Sequence, residues 1–280
     1  MGGWSRLGLI AGGGDLPVHV AEACGADGRL GAVVALKGFA DPADFPDATV
    51  RGVAKIGAVI EDLRAGRCDA VCFAGIVTRP DFNALQPDLK GMSLLPRVIA
   101  AAAKGDDALL RFMVTLFEEE GFAVVGAHDV AESLLAAPGP VGAVAPDDQV
   151  RDDIDKAMRI AGEVGRLDIG QGAVVCDGLV LAVEAQEGTD AMLERVAGLP
   201  RPLRGAPEAR KGVSAKRAKP IQERRVDLPV VGVSTVERAA AAGLAGVAVE
   251  SGGAMVLGRD AVARAADAAG LFVVGVKAPD

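Results

Sequence analysis

The sequence predicts a two-domain α/β protein, the first domain built on a parallel sheet and the second on a mixed one. Three observations carry this. Short runs rich in Val, Leu, Ile and Ala alternate with segments of helical periodicity, as strands joined by helical crossovers do. A continuous apolar run at 70–77 (AVCFAGIV) has the pattern of a strand covered on both faces. Residues 136–147 (AAPGPVGAVAPD) mix Pro, Gly and Ala without period, and are expected as a linker and hinge between domains at 1–135 and 148–280. A length of 280 residues suits two domains.

Residues 6–11 (RLGLIA) read as a buried strand that breaks at Gly12-Gly13-Gly14, and a helix follows from Asp15 to Cys24. Strands are expected at 31–37 and 48–54. Ile56, Val59, Ile60 and Leu63 repeat at helical spacing and predict a helix over 56–65. Beyond the 70–77 strand come helices at 94–103 and 107–120 and a strand at 122–127. The second domain opens with a helix over 148–165, followed by a hairpin over 172–185. Asp177-Gly178 marks its turn, because both residue types accept the positive φ of a tight reversal. A helix at 189–197, strands at 229–233, 245–250 and 272–276, and helices at 235–243 and 259–269 complete the chain.

Composition narrows the function. Half of the residues are hydrophobic, so a sizeable core is available, but only 3% are aromatic, with no Tyr. Binding to single-stranded nucleic acid needs stacking platforms, and so few aromatics argue against it. Cys68 and Cys72 have no second pair at ligand spacing, which argues against zinc. The start does not resemble a signal peptide, and no apolar stretch reaches the roughly 18–20 residues of a membrane span. These features predict a cytoplasmic protein, peripheral on a membrane at most, with reduced thiols. Residues 201–225 hold nine Lys or Arg against two Glu, a local charge of +7 in a chain of net −8. The remainder therefore carries −15, and Asp227 follows the basic stretch almost at once. Such concentration suggests a local anion site rather than nucleic-acid binding; a solvated basic loop is the plainer alternative.

Several short motifs admit both a functional and a structural reading. Gly12-Gly13-Gly14-Asp15-Leu16 joins a strand to a helix, where glycines let a ligand approach and the helix start favours an anion. It also reads as a tight turn with Asp15 near the cap. As a dinucleotide fingerprint it fails: Pro17 takes the third small position, and no acid follows the strand ending near Lys37, which argues against NAD. Gly75-Ile76-Val77-Thr78 lies beyond the fourth strand, where an open sheet faces its ligand crevice. Gly105-Asp106-Asp107 and Gly188-Thr189-Asp190 each open a helix, as caps or as metal or substrate contacts. Ser234 and Glu237 fit a capping box. There is no His pair at metal spacing, no nucleophile elbow and no phosphate-binding P-loop. Carboxylates, basic residues and Mg²⁺ are left to carry the chemistry.

These motifs together resemble a known family. AGGGDLP, FAGIVTRP, KGDDALL and EGFAVVGAH in the first half, and VEAQEGTDAM, KRAKPIQERRVDLPVVGVST, AGLAGVAVE and LFVVG in the second, are similar to the LpxI-type UDP-2,3-diacylglucosamine pyrophosphatases of lipid A biosynthesis. The likeness runs in order from about residue 7 to residue 276. It implies a Rossmann-like N-terminal domain and Mg²⁺-dependent hydrolysis of a UDP-linked diacylated glucosamine to UMP and the sugar 1-phosphate, water attacking the α-phosphorus. A non-enzymatic nucleotide-sugar or lipid carrier is the alternative. Carried over, the family's functional aspartate falls on Asp227, with Lys219 and Arg225 as the expected catalytic cations and Asp190 as a second expected Mg²⁺ ligand. Substrate contacts are expected at Gly12, Gly13, Asp15, Leu16, Gly75, Ile76 and Thr78, at Gly105 and Asp106, and at Gly188, Thr189, Lys216 and Gln222. The chain departs from the pattern at Ile221, Glu223 and Val233, where the family has Gly, Asp and Pro. The implied partner is the lipid-linked nucleotide sugar; a peripheral membrane contact and a homo-oligomer stay open.

Overall fold

In the computed structural model, which describes residues 3–78, 81, 84–220 and 223–278, the chain divides into two compact units. Unit 1 comprises 1–132 with 223–227, and unit 2 comprises 133–222 with 228–280. The basic segment therefore changes unit just before Asp227. Residues 136–147, expected as a linker, are assigned to unit 2. Ala136 N donates to Ala254 O at 2.9 Å, and Ala143 N donates to the Asp267 carboxylate at 2.8 Å.

Unit 1 is an open sheet of five parallel strands. β1 (Leu7–Ala11), β2 (Leu30–Leu36), β3 (Thr49–Arg51), β4 (Ala70–Ala74) and β5 (Ala123–Val124) lie in the order β3-β2-β1-β4-β5. The crossovers are α1 (Leu16–Ala26), α2 (Ile56–Ala65), and α3 (Leu89–Ala102) with α4 (Asp106–Glu119), and α5 (Ala127–Val130) follows β5. This is the doubly wound arrangement the alternating pattern predicts. β1 and β4 are central and apolar throughout, since a strand covered on both faces has no polar side to show. One core cluster joins Ile10, Val34 and Val71 to Val59, Ile60 and Leu63 of α2 and to Val114, Leu116 and Phe117 of α4. Phe117 meets Phe73 edge to face with ring centres 5.1 Å apart. α3 starts five residues earlier than its periodicity suggests, because Asp88 caps it by accepting from Gly91 N at 2.7 Å.

Unit 2 is a three-layer sandwich around a mixed sheet. β6 (Gly139–Pro140), β7 (Gly172–Cys176), β8 (Leu179–Val183), β9 (Val213–Lys216), β11 (Gly246–Glu250) and β13 (Phe272–Val276) lie in the order β6-β13-β11-β9-β7-β8. β9, β11 and β13 are mutually parallel, while β7 and β6 run against them. The short β10 (Val230–Val231) and β12 (Met255–Val256) pair separately. α6 (Asp148–Arg166) covers one face through Ile154, Ala157 and Met158. α7 (Gly188–Ala197), α8 (Val233–Ala241) and α9 (Arg259–Ala269) cover the other through Met192, Leu193, Val196, Val236, Ala239, Val262 and Ala266. The strands alternate between the two clusters, Val247 and Val249 facing one and Ala248 the other. At the β7–β8 turn Asp177 and Gly178 both have positive φ, 49° and 76°. The buried Asp153 carboxylate of α6 accepts from both of their N–H groups.

Two local expectations change. β9 runs through the middle of the basic segment, so 201–225 is not one loop; Val213 and Ala215 are inward, and Lys216 ends the strand buried. The Ser234 capping box does not form: Gly232 takes the cap of α8 and Ser234 lies inside its first turn. Among the described residues no helix is long and apolar enough to cross a membrane.

Candidate active site

In the order β3-β2-β1-β4-β5 the strand sequence reverses between β1 and β4, and open α/β sheets bind ligands outside the carboxyl ends of the strands at that point. The loops leaving these strands are joined backbone to backbone. Gly12 N donates to Ala74 O at 2.8 Å, Gly13 N to Ile76 O at 2.9 Å, and Ile76 N to Gly13 O at 2.8 Å. A Cβ at Gly12 would stand 2.8 Å from Ile76 O, and one at Gly75 2.6 Å from Gly13 O. Gly75 also has a φ of +93°. These glycines are therefore required by the meeting of the two loops, whatever they bind. Asp15, Ile76 and Thr78 are exposed around that junction, and Leu16 begins α1. Asp15 occupies the cap position without a side-chain cap bond; its carbonyl accepts from His19 N at 3.2 Å, and its carboxylate satisfies no N–H of the first turn of α1. Arg79 and Pro80 lie outside the described residues.

Glu223–Asp227 is fastened to unit 1 by four kinds of contact. Glu223 N donates to the Asp107 carboxylate at the start of α4 at 3.0 Å. Arg225 forks onto Glu223 through Nε and Nη2 at 2.9 and 3.0 Å, and its Nη1 reaches Glu118 at 2.7 Å. Val226 packs on the apolar core of the unit. The Arg225 backbone lies against Gly126, where a Cβ would stand 3.3 Å from its Cα. The Arg225 fork holds the Glu223 carboxyl below the usual carboxylate range, and the same bonds push the guanidinium up. Asp227 is thus carried, half-buried, on a short segment that α4 holds in place. Gly105, with a φ of +121°, caps α4, and Asp106 lies in its first turn. The sequence offered Asp107 as a cap or a metal or substrate contact and Glu223 as a departure from the family pattern, but not the two as partners, and Glu118 was not singled out. The Asp107–Arg111 pair is readable there, as a 2.6 Å bridge one helical turn apart, but Asp107 and Glu223 are 116 positions apart.

In unit 2 the expected contacts gather at one end of the sheet. Lys216 of β9 stands opposite Gly172 of β7, and Glu184 N beyond β8 bonds Gly172 O at 2.9 Å. Glu184 and Lys216 are buried, with a glycine between their positions on the same face. A Cβ on Gly172 would come within 2.5 Å of a Glu184 carboxylate oxygen. Glu184 accepts from Thr189 Oγ1 at 2.9 Å, in the first turn of α7, and Lys216 Nζ donates to Val230 O at 2.8 Å. Gly188 begins α7 with a φ of +79°. Ser214, two residues before Lys216, is fully buried, and its hydroxyl has no hydrogen-bond partner among the described residues. Glu184 was also missed; its trace in the sequence is a carboxylate two places after the inward Ala182. Lys219 pairs with Asp168 at 2.8 Å, and Asp190 with Arg238 at 3.0 Å. Gln222 lies outside the described residues.

The expected metal ligands fall in different units, Asp227 in the first and Asp190 in the second. Among the described residues no group of three or more His, Cys, Asp or Glu side chains is placed to hold a metal ion. Mg²⁺ does not need such a cage, since it takes one or two carboxylates and completes its shell with phosphate oxygens and water. A single half-buried carboxylate such as Asp227 fits that use.

A doubly wound parallel unit followed by a unit built on a mixed sheet defines a class of two-domain α/β proteins. Residues 6–134 match the model of the LpxI N-terminal domain and residues 137–274 that of the LpxI C-terminal domain, so the chain belongs to the LpxI family. It is 58% identical over 273 residues to the UDP-2,3-diacylglucosamine pyrophosphatase LpxI of Caulobacter vibrioides, covering 97% of each chain.

Proposed function

We propose that this protein hydrolyses the pyrophosphate bond of UDP-2,3-diacylglucosamine in the cytoplasm, with Mg²⁺, giving UMP and 2,3-diacylglucosamine 1-phosphate. The observation that carries the reading is near-full-length likeness to a pyrophosphatase of that name, with Asp227 held on its anchored segment. Water attacks the α-phosphorus, the bond from that phosphorus to the bridging oxygen breaks, and the bridging oxygen leaves with the sugar phosphate. A pyrophosphate diester carries about two negative charges, so catalysis is mostly positioning and charge stabilisation. The loops of Gly12–Gly14 and Gly75–Thr78 take the nucleotide at the switch point, with the start of α1 facing its phosphates. In unit 2, Lys216 offers its ammonium charge to an anion beside its bond to Val230 O, while Gly188 and Thr189, whose N–H and hydroxyl are given to Ala185 O and Glu184, shape that end of the sheet. Lys219 and Arg225 supply positive charge from within ion pairs that hold them in position. Asp227 holds the metal or orients the attacking water. Bound Mg²⁺ would neutralise charge on the pyrophosphate oxygens and acidify a water.

The test is UMP release from UDP-2,3-diacylglucosamine with Mg²⁺ and with EDTA, for the wild type and Asp227→Ala. The expected result is metal-dependent release, lowered about a thousandfold or more in the variant at an unchanged unfolding transition. Tight binding of the substrate without UMP release would make the protein a carrier instead.

A further inference from the structure

Helix α3 shows solvent a face that a globular helix would bury. Leu89 is 87% exposed, Met92 58% and Ile99 46%, and Pro96 and Ala103 on the same side are exposed as well. Their spacing alternates between three and four, which makes one continuous stripe along the helix. The residues that α3 buries are others: Gly91, Leu94 and Ala102. Leu89–Ala102 contains Lys90 and Arg97 and no acid, and Lys104 follows, in a chain of net charge −8. The nearest acid before it, Asp88, is engaged in capping: it accepts from Gly91 N at 2.7 Å and from Ala58 N of α2 at 3.0 Å. The second bond seats the start of α3 on the first turn of α2, at the end of the sheet where β3 stops. In a parallel sheet this is also the end where β1 and β4 release the Gly12–Gly14 and Gly75–Thr78 loops, and Ile76 and Val77 are exposed there too.

We propose that this face docks the protein on an anionic lipid bilayer, the α3 stripe lying in the headgroup region and Arg97 and Lys104 meeting lipid phosphates. An exposed apolar stripe on a helix that itself carries basic and no acidic residues is the arrangement of an interfacial helix; Lys90 is paired with Glu120, which leaves Arg97 and Lys104 for the lipid. A negative surface attracts each Lys or Arg close to it, and in a chain of net charge −8 this favours approach by the helix that carries Arg97 and is followed by Lys104. A second copy is the poorer occupant, since it would bring one acidic chain against another. Docking in this orientation puts the switch-point loops at the membrane, where a diacylated substrate resides; that purpose rests on the proposed function, whereas the docking does not.

The experiment is co-sedimentation of the full chain, without substrate, on vesicles of phosphatidylglycerol with phosphatidylethanolamine, and on phosphatidylcholine alone. Salt-sensitive binding to the anionic vesicles is expected. Leu89→Ser with Met92→Ser should lower the partition by about tenfold or more, and Arg97→Glu with Lys104→Glu should remove the preference for anionic lipid. No binding by the wild type, or equal binding by the serine variant, overturns the proposal. So does loss of hydrolysis of detergent-dispersed substrate by the serine variant with vesicle binding intact, because the stripe then lines the substrate site. A dimer that the serine variant breaks without changing vesicle binding assigns the face to a second copy. Vesicle binding with no UMP release from any form would refute the proposed function and leave the docking standing.

Discussion

The loops that close the β1–β4 junction in unit 1 and the basic stretch of 201–225 are stabilised in opposite ways. The loops are held backbone to backbone, with glycine where a Cβ would strike a carbonyl. The basic stretch is held side chain by side chain, most of its cations against different partners. Arg204 donates to the Leu199, Gly205 and Ala242 carbonyls, and Arg210 to Ala240 O. Lys211 meets Asp177, Lys216 meets Val230 O, Lys219 meets Asp168, and Arg225 meets Glu223 and Glu118. Contact between two backbones leaves no room for substitution, whereas dispersed cations can be removed one at a time at a cost set by burial. A cluster of charge in a sequence therefore need not be a cluster in space.

This contrast can be broken or sharpened by a graded series. The largest loss is expected for Gly75→Ala, where a new methyl would meet Gly13 O and a positive φ is also required; chemical denaturation should show about 2–4 kcal/mol. A wild-type denaturation midpoint would mean that the glycine is kept for a ligand and not for packing. Next comes Lys216→Met, which keeps the buried stem and leaves Val230 O without its ammonium donor, at about 1–3 kcal/mol. If that variant is as stable as the wild type but its KM rises sharply, Lys216 serves the substrate more than the sheet.

A smaller effect, about 1 kcal/mol, is expected for Glu223→Gln, which loosens the fork of the mostly buried Glu223 with Arg225. Its pH dependence has a definite sign. The folded carboxyl lies below its ordinary value, so its contribution is present above the ordinary carboxylate range and is lost as pH falls through the folded pKa. The wild type and variant should therefore differ at neutral pH and converge in acid; a gap that stays constant down to acid would exclude the ion pair as its cause. Least of all, Arg201→Ala should stay within about 0.5 kcal/mol, because its pair with Glu208 is exposed on both sides.

Much of the fold is readable from the chain because its signals are local. The apolar run over β4, the periodicity of α2 and α6, and the Asp-Gly turn between β7 and β8 each depend on neighbours a few residues away. Part of the candidate site is readable for the same reason: the glycine loops at the ends of β1 and β4 fall where the strand-to-helix junctions put them. β9 escaped notice because Ser214 and Lys216 alternate with Val213 and Ala215 in a strand of four residues, inside a stretch dominated by charge. Glu184 escaped notice because its partner Thr189 lies beyond a turn, and the pairing of Asp107 with Glu223 because the two are 116 positions apart.

By itself the sequence determined the alternation of strands and helices, the two α/β domains, the positions of the critical glycines and, through ordered motifs, the family. Those follow from short-range sterics and periodicity, which the chain carries with it in any context. Only the tertiary structure decided that Asp227 rides on unit 1 while most of the basic segment belongs to unit 2. It also decided that Lys216 is buried and that Lys219 and Arg225 each have partners of their own. Charges take partners by distance in space, and distance in space is set by the whole fold.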